Sequence, residues 1–335
     1  MAKRRQSKKS KKSNTNSKIL TYIAWILAIV ALILSALVVG YYVGYNNGLE
    51  KVAIKMQQQS KQEKLKISKK STLQKKESVN TRLKELLKKE STDYNSAAHE
   101  IDDESLANPV IIKQKKRVIY HNKPKLAIII DDVQTKRQVN AIESLHTTVT
   151  MSFLPPRAAR PNSAKLASHE SFYMVHLPME AMHFSAEEPD TLRIHDSQQK
   201  ISARIKQIRQ EFPRVQYINN HTGSKFTSNE VAMNRLIFAL TANHIHFIDS
   251  RTTAKTMAPK VLKNFGLKYV ARDVFLDDKT DKADVIAQIK KAIKVAKIKG
   301  HAIAIGHPHK NTLEAIYESK KLLQAVDLVQ VNKVY

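Results

Sequence analysis

Two adjacent carboxylates, Asp131 and Asp132, close the apolar run that begins at Leu126, and later apolar runs end in a similar way. His176 heads the segment H-L-P-M-E (176–180), and His221 lies in N-N-H-T-G-S (219–224). Asp249-Ser250-Arg251, Arg272-Asp273 and Gly306-His307-Pro308-His309 complete the series. One Asp and two His make a donor set for a catalytic divalent ion, which keeps a further position for a water whose pKa falls to about 7. Asp132, His176 and His221 are the metal-ligand candidates. Asp131, beside them, can take the water's proton as general base. An amide substrate also needs its departing nitrogen protonated, and His307 is placed for that. Arg272 is a candidate to orient Asp131 or to hold the substrate or its oxyanion. Glu180 is a spare ligand or base, and Asn220, Ser224, Asp249, Ser250 and Asp273 are candidate substrate contacts. Each residue alone has a plain structural role, as a turn-capping Asp or a core His. Their recurrence after successive strands favours a shared site.

The elements that must position these residues alternate in type. Strands are expected at Leu126–Ile130, Val149–Phe153, Phe172–Val175, Val215–Ile218, Ile245–Ile248, Leu267–Val270, Ala302–Ile305 and Leu328–Val331. Amphipathic stretches at Ser197–Phe212, Asn229–Asn243, Lys282–Lys299 and Thr312–Ala325 read as helices. Strand, helix, strand in succession implies a parallel sheet. The number of repeats favours an α/β distorted (β/α) barrel of about seven parallel strands, with a doubly wound sheet as the alternative. In either architecture the carboxyl ends of the strands form the rim where active sites are built.

The 335-residue chain has no Cys, which removes disulfide frameworks, thiolate metal sites and cysteine nucleophiles, and leaves metal chemistry to carboxylates and 13 His. Its formal charge is +27, and residues 1–122 hold 25 of the 57 basic residues against 10 of the 30 acidic ones. Residues 1–18 read as a basic cytoplasmic tail. Residues 19–45 contain no charged residue, longer than the roughly 20 residues a bilayer needs, and read as a signal anchor. Positive-inside orientation puts the amino terminus in the cytoplasm and the remainder on the periplasmic or extracellular face. Residues 46–122 read as a basic tether, partly helical or disordered, and residues 123–335 as the catalytic-looking domain. A single membrane span and an envelope polymer are the expected partners, together with other cell-envelope proteins, and nucleic acid is not expected.

The segments I-I-I-D-D (128–132), H-L-P-M-E, N-N-H-T-G-S, F-I-D-S (247–250), R-D-V-F-L-D (272–277) and I-G-H-P (305–308) together resemble the divergent polysaccharide deacetylase family. The resemblance covers roughly residues 124–332. It implies a distorted (β/α) barrel and hydrolysis of N-acetyl groups on an envelope polysaccharide at a divalent metal, zinc first among the possibilities. It also implies Asp131 as base, Asp132 as ligand and His307 as acid. One feature departs from the wider superfamily, in which two His ligands stand four residues apart in one segment. Here Glu180 stands four residues after His176, and His221 comes from another strand. The alternative is a non-catalytic glycan-binding module that positions cell-envelope enzymes. A two-carboxylate glycosidase would want two separated acids and few His. An aspartyl phosphotransferase would want its acids separated by one intervening residue, whereas Asp131 and Asp132 are adjacent, and a nuclease is suggested by net charge alone.

Overall fold

The computed structural model describes residues 123–335 and, of the preceding part, only Trp25. The expected tail, anchor and tether otherwise lie outside the described residues. Among the described residues, no helix is long and apolar enough to cross a membrane.

Eight strands form one sheet: β1 Lys125–Val133, β2 Thr150–Phe153, β3 Met174–Met179, β4 Tyr217–Thr222, β5 His246–Ile248, β6 Val274–Phe275, β7 His301–Gly306 and β8 Asp327–Leu328. The order is β5-β4-β3-β2-β1-β7-β6, every pairing is parallel, and β8 lies on β1. β1 is the axis. One edge pairs with β7 from Lys125 to Ile130; the other pairs with β8 at Lys125–Leu126 and with β2 from Ile129 onward. The two ends of this curved sheet meet at a single bridge between Asp249 and Ala271. Two backbone hydrogen bonds make it, Asp249 N to Val270 O and Arg272 N to Asp249 O, each 3.0 Å. Seven of the strands make a (β/α) half-barrel, with β8 set off this path beside β1.

Strand alternation sorts the apolar residues into two cores. Leu126, Ile128 and Ile130 of β1, with Val175, Leu177, Ile218 and Phe247, face the helices. Ala127 and Ile129, with Met174, Tyr217, Ile248, Ile303 and Ile305, face inward. Val331 and Val334 join this inner cluster, with Tyr335 packed against it. Val331 N donates to Thr150 Oγ1 at 3.1 Å. Each such fully buried aliphatic side chain contributes about 1.5–3 kcal/mol.

Three expectations need correction. Leu267–Val270 forms no strand: Val270 joins the inner core and Leu267 and Tyr269 pack on the outer one. Ladder pairing with β7 starts only at Asp273, whose N–H reaches Ile303 O at 2.8 Å and whose carboxylate accepts from Ile303 N at 2.9 Å. The last strand is Asp327–Leu328, after which Val331–Lys333 forms a 3-10 turn. The helix expected at Thr312–Ala325 is two helices, Lys310–Glu318 and Lys320–Leu323, parted at Ser319. The helix at Lys282–Lys299 has the bounds the sequence suggests and ends at Gly300 with φ 85°.

Candidate active site

Adjacent strand residues normally point to opposite faces, so Asp131 and Asp132 should diverge. A bulge resolves this. Ile130 pairs with Met151 and Val133 with Phe153, three steps against two, and Asp132 takes φ 56°. Asp131 follows Ala127 and Ile129 inward by alternation, and the left-handed turn at Asp132 brings the second carboxylate to the same place. A non-glycine residue at that φ is costly and tends to persist where surrounding structure fixes it, often at functional sites.

Asp132 Oδ1 lies 2.9 Å from His221 Nδ1 and 3.5 Å from His176 Nε2, and Oδ2 lies 3.9 Å from His307 Nε2. Asp132, His176 and His221 each place a donor atom within 4.8 Å of the others, and all three are buried. Yet neither Asp132 oxygen has an aligned hydrogen bond, while His176 turns its other nitrogen, Nδ1, toward Asp131 Oδ2 at 3.6 Å. Buried polar atoms left so are expensive unless an ion or ligand completes them. Burial works to raise Asp132, but the charge of His221 foremost, and then that of His307, holds it far below the carboxylate range. Burial pushes His176 down to about 3, leaving it neutral with a lone pair to give. An anionic carboxylate, a neutral imidazole and orphaned donor atoms at this spacing fit a divalent cation.

Asp131 is held by Asn219, whose Nδ2 donates to both oxygens at 3.0 and 2.8 Å and also reaches Ser250 Oγ at 3.0 Å. Ser152 Oγ donates to Asn219 Oδ1 at 2.7 Å, fixing which end of the amide faces Asp131. Burial pushes Asp131 up to about 7, with the His307 charge and Asn219 opposing.

His307 Nδ1 sits 3.0 Å from Asp277 Oδ1, and His307 N–H donates to Oδ2 at 2.7 Å. Thr312 Oγ1 also donates to Oδ2 at 2.7 Å. Burial alone would depress His307, but Asp277, followed by Asp132 and Asp131, carries it up to about 9. Gly306 permits this approach: a Cβ there would lie 3.1 Å from Thr312 Cγ2 and 3.2 Å from Leu276 Cβ. Asp277, His307 and His309 also meet metal-ligand spacing. The three hydrogen bonds already made by Asp277 fit a positioning role better.

The structure therefore gathers Asp131, Asp132, His176, His221, Ser250 and His307. Arg272 is buried, donates to Ser250 O at 2.7 Å and Arg251 O at 2.9 Å, and stacks on Phe275 with 4.8 Å to the ring centroid. Burial and Arg251 pull Arg272 down to about 10, against the charges of Asp249, Asp278 and Asp131, while Asn219 donates to both Asp131 oxygens. The other candidates serve the framework. Glu180 accepts from Ile194 N at 2.9 Å and Lys225 Nζ at 2.8 Å. Asn220 Oδ1 accepts from Ser250 N at 2.9 Å, and Ser224 Oγ accepts from Met182 N at 2.8 Å. Asp249 is saturated by Arg251 N, Thr256 and Tyr269. Asp273 pairs with Lys299 and binds the backbone of β7 well before its carboxyl end.

Two residues escaped the sequence reading, Asn219 and Asp277. Alternation carried the signal for the first: in β4, Asn219 shares a face with His221, whereas Asn220 points to the other. Asp277 closes R-D-V-F-L-D, but only the fold brings it to His307.

The family model for divergent polysaccharide deacetylases matches residues 128–335. An uncharacterised Escherichia coli K12 protein, YibQ, is 34% identical over 196 residues, which is 58% of this chain and 61% of that protein. The match thus spans less than two thirds of that relative's length. An uncharacterised Haemophilus influenzae protein is 32% identical over 214 residues, 63% of this chain and 76% of its own. Among solved structures, an uncharacterised protein of Agrobacterium tumefaciens C58 shares the fold, with a TM-score of 0.57 at 17% identity, over 65% of this chain and 92% of that one. From Ile128 in the first strand to Tyr335, this chain belongs to the divergent polysaccharide deacetylase family.

Proposed function

We propose that residues 123–335 form a metal-dependent hydrolase that removes N-acetyl groups from an envelope polysaccharide, held at the outer face of the cytoplasmic membrane by residues 19–45. The observation that carries this reading is the flanking of Asp132, His176 and His221 by two separately positioned groups, Asp131 on Asn219 and His307 on Asp277. A divalent ion, zinc in the first instance, would supply Lewis acidity toward an amide carbonyl and acidify a water. Asp132, His176 and His221 would hold it. Asp131, near 7, accepts the proton of the attacking water. His307, near 9, is an imidazolium at neutral pH and gives its Nε2 proton to the departing nitrogen as the C–N bond breaks. Asp277 keeps the ring facing the cleavage point throughout. Burial of the site excludes bulk water and strengthens each of these interactions.

The test measures metal content and acetate release by the full chain with N-acetylated glycan oligomers. About one equivalent of zinc should bind and should disappear in His221→Ala. A chelator should stop acetate release and added zinc should restore it. A folded protein that binds these oligomers without releasing acetate, even with zinc supplied, would leave the glycan-binding module as the function.

A further inference from the structure

The segments that follow β1 and β2 line a cleft of about 420 Å³, beginning at Gln134, two residues after Asp132. Lys136, Arg160, Lys165 and His169 line it with polar Gln134 and Asn162, and its lining contains no carboxylate and no Trp, Tyr or Phe. A neutral sugar face would find no aromatic ring to stack on, whereas an anion would find the cations Lys136, Arg160 and Lys165.

The cations are not equivalent. Arg160 is buried, and its guanidinium is already engaged: Nε donates to Pro155 O at 2.9 Å, while Nη1 and Nη2 reach Glu188 at 3.2 and 2.6 Å. Nη1 also reaches Gln134 Oε1 at 3.3 Å. Arg160 is thus a wall that ties together the segments following β1, β2 and β3, with its charge offset by Glu188. Lys136, Lys165 and His169 are exposed. The first turn of helix Lys136–Glu143 is satisfied by its own Thr135–Gln138 capping box, so side chains supply the attraction. Glu170, which burial and Glu143 push up against the nearby Lys136 and His169, lies outside the lining. Gln134 and Lys136 follow Asp132 by two and four residues, so the cleft and the site share one rim.

Resting on the glycan-hydrolase reading of the Asp131 site, we propose that this cleft is an anion subsite of the same substrate path. It receives the carboxylate or phosphate of a sugar unit neighbouring the one whose N-acyl group is cleaved. The substrate class is accordingly an acidic glycan, held by Lys136 and Lys165 through contacts that salt screens.

The test uses the full chain and titrates three oligosaccharides of equal length at low and high salt. One is a neutral N-acetylglucosamine oligomer, one alternates with carboxylate-bearing N-acetylmuramic acid, and one carries phosphate. At low salt an acidic oligomer should bind about tenfold more tightly than the neutral one, equivalent to about 1.4 kcal/mol. Comparing the carboxylate and phosphate arms identifies the anion. Lys136→Gln/Lys165→Gln should erase the preference and leave neutral-oligomer affinity unchanged. Because the chain is strongly basic, Lys290→Gln/Lys294→Gln on helix Lys282–Lys299 serves as a charge-matched control. Loss of the preference in that control, its survival in Lys136→Gln/Lys165→Gln, or equal or absent binding of all three oligomers overturns the subsite. Acetate release from the same mixtures separates the two readings. A preference abolished by the cleft variant with no acetate released keeps the subsite and removes the hydrolase.

Discussion

Two of the titratable groups at the site, Asp131 and His307, are each held by a buried partner, and the partners differ in charge. Asp131 is gripped by the neutral amide of Asn219 and His307 by the carboxylate of Asp277. A neutral partner orients without neutralising, so desolvation dominates Asp131 and pushes it up to about 7. A charged partner orients and also compensates, so His307 keeps its proton up to about 9 although it is just as buried. The polarity of the partner thus decides whether a buried group gives or takes a proton at neutral pH. In the proposed hydrolase, the amide-held group is the base and the carboxylate-held group is the acid.

The largest expected effects come from removing each group while keeping its shape. Asp131→Asn and His307→Gln should each lower acetate release by about 10²–10⁴-fold. Bound zinc should stay near one equivalent in both, because neither residue belongs to the Asp132–His176–His221 set. Measuring rate and metal content on the same samples checks this. Full activity in His307→Gln would break the assignment of roles, and loss of zinc in Asp131→Asn would move Asp131 into the ligand set.

Next comes the charged partner. Asp277→Asn removes the nearest counter-ion of a buried imidazolium and leaves it the more distant Asp132, which should cost about 3–5 kcal/mol of stability. The pH dependence follows from the signs. Asp277 is held below its ordinary 3.8: burial would raise it, but the charge and hydrogen bond of His307 prevail. Its contribution is therefore full above about 4 and is lost as pH falls through its lower folded value. His307 is raised from 6.5 to about 9, so its contribution is full below 6.5 and is lost as pH rises through 9. In metal-free protein, the stability gap between the parent and Asp277→Asn should be widest between about pH 4 and 6.5 and should narrow on both sides. Denaturant titrations across pH measure it. A gap flat from pH 3 to 10 would show that Asp277 acts through packing and not through charge.

The difference between the two partners also explains what was legible in the sequence. Apolar runs marked β1, β4 and β7, each shorter than its strand, and the residues that follow the runs gave Asp131, Asp132, His221 and His307. Asn219 was within reach, because β4 alternates and His221 fixes which face looks inward; the neighbouring Asn220 drew the assignment instead. Asp277 was not within reach. It follows a two-residue strand and lies 30 residues from His307, and nothing local marks which of several acids in 273–281 meets an imidazole. Asp249 and Asp273 looked equivalent to it, yet one is saturated by its own loop and the other pairs with Lys299. The left-handed turn at Asp132 was equally silent, since only the three-against-two register of β1 on β2 creates it. The sixth strand was misplaced because Leu267–Val270 is apolar for packing, while the ladder begins with a polar residue.

The smallest effect tests the neutral partner from one step further away. Ser152 touches Asn219, and its hydroxyl selects the amide orientation by occupying Oδ1. Ser152→Ala leaves that buried oxygen unsatisfied, costing about 1–3 kcal/mol. It also removes the barrier to a flipped amide, which would aim an acceptor at Asp131 in place of a donor. A merely structural serine would lower stability and leave the rate of the folded protein unchanged. An orienting one should lower kcat several-fold with KM nearly constant, since substrate contacts are untouched. Ser152→Thr retains the hydroxyl and should recover most of that loss. Recovery in Ser152→Thr together with a selective fall of kcat in Ser152→Ala would establish that orientation by a neutral amide has a measurable kinetic value. Equal kcat in all three proteins would mean that Asp131 is held well enough by burial and Ser250-linked Asn219 alone, and the contrast between the two partners would then reduce to charge.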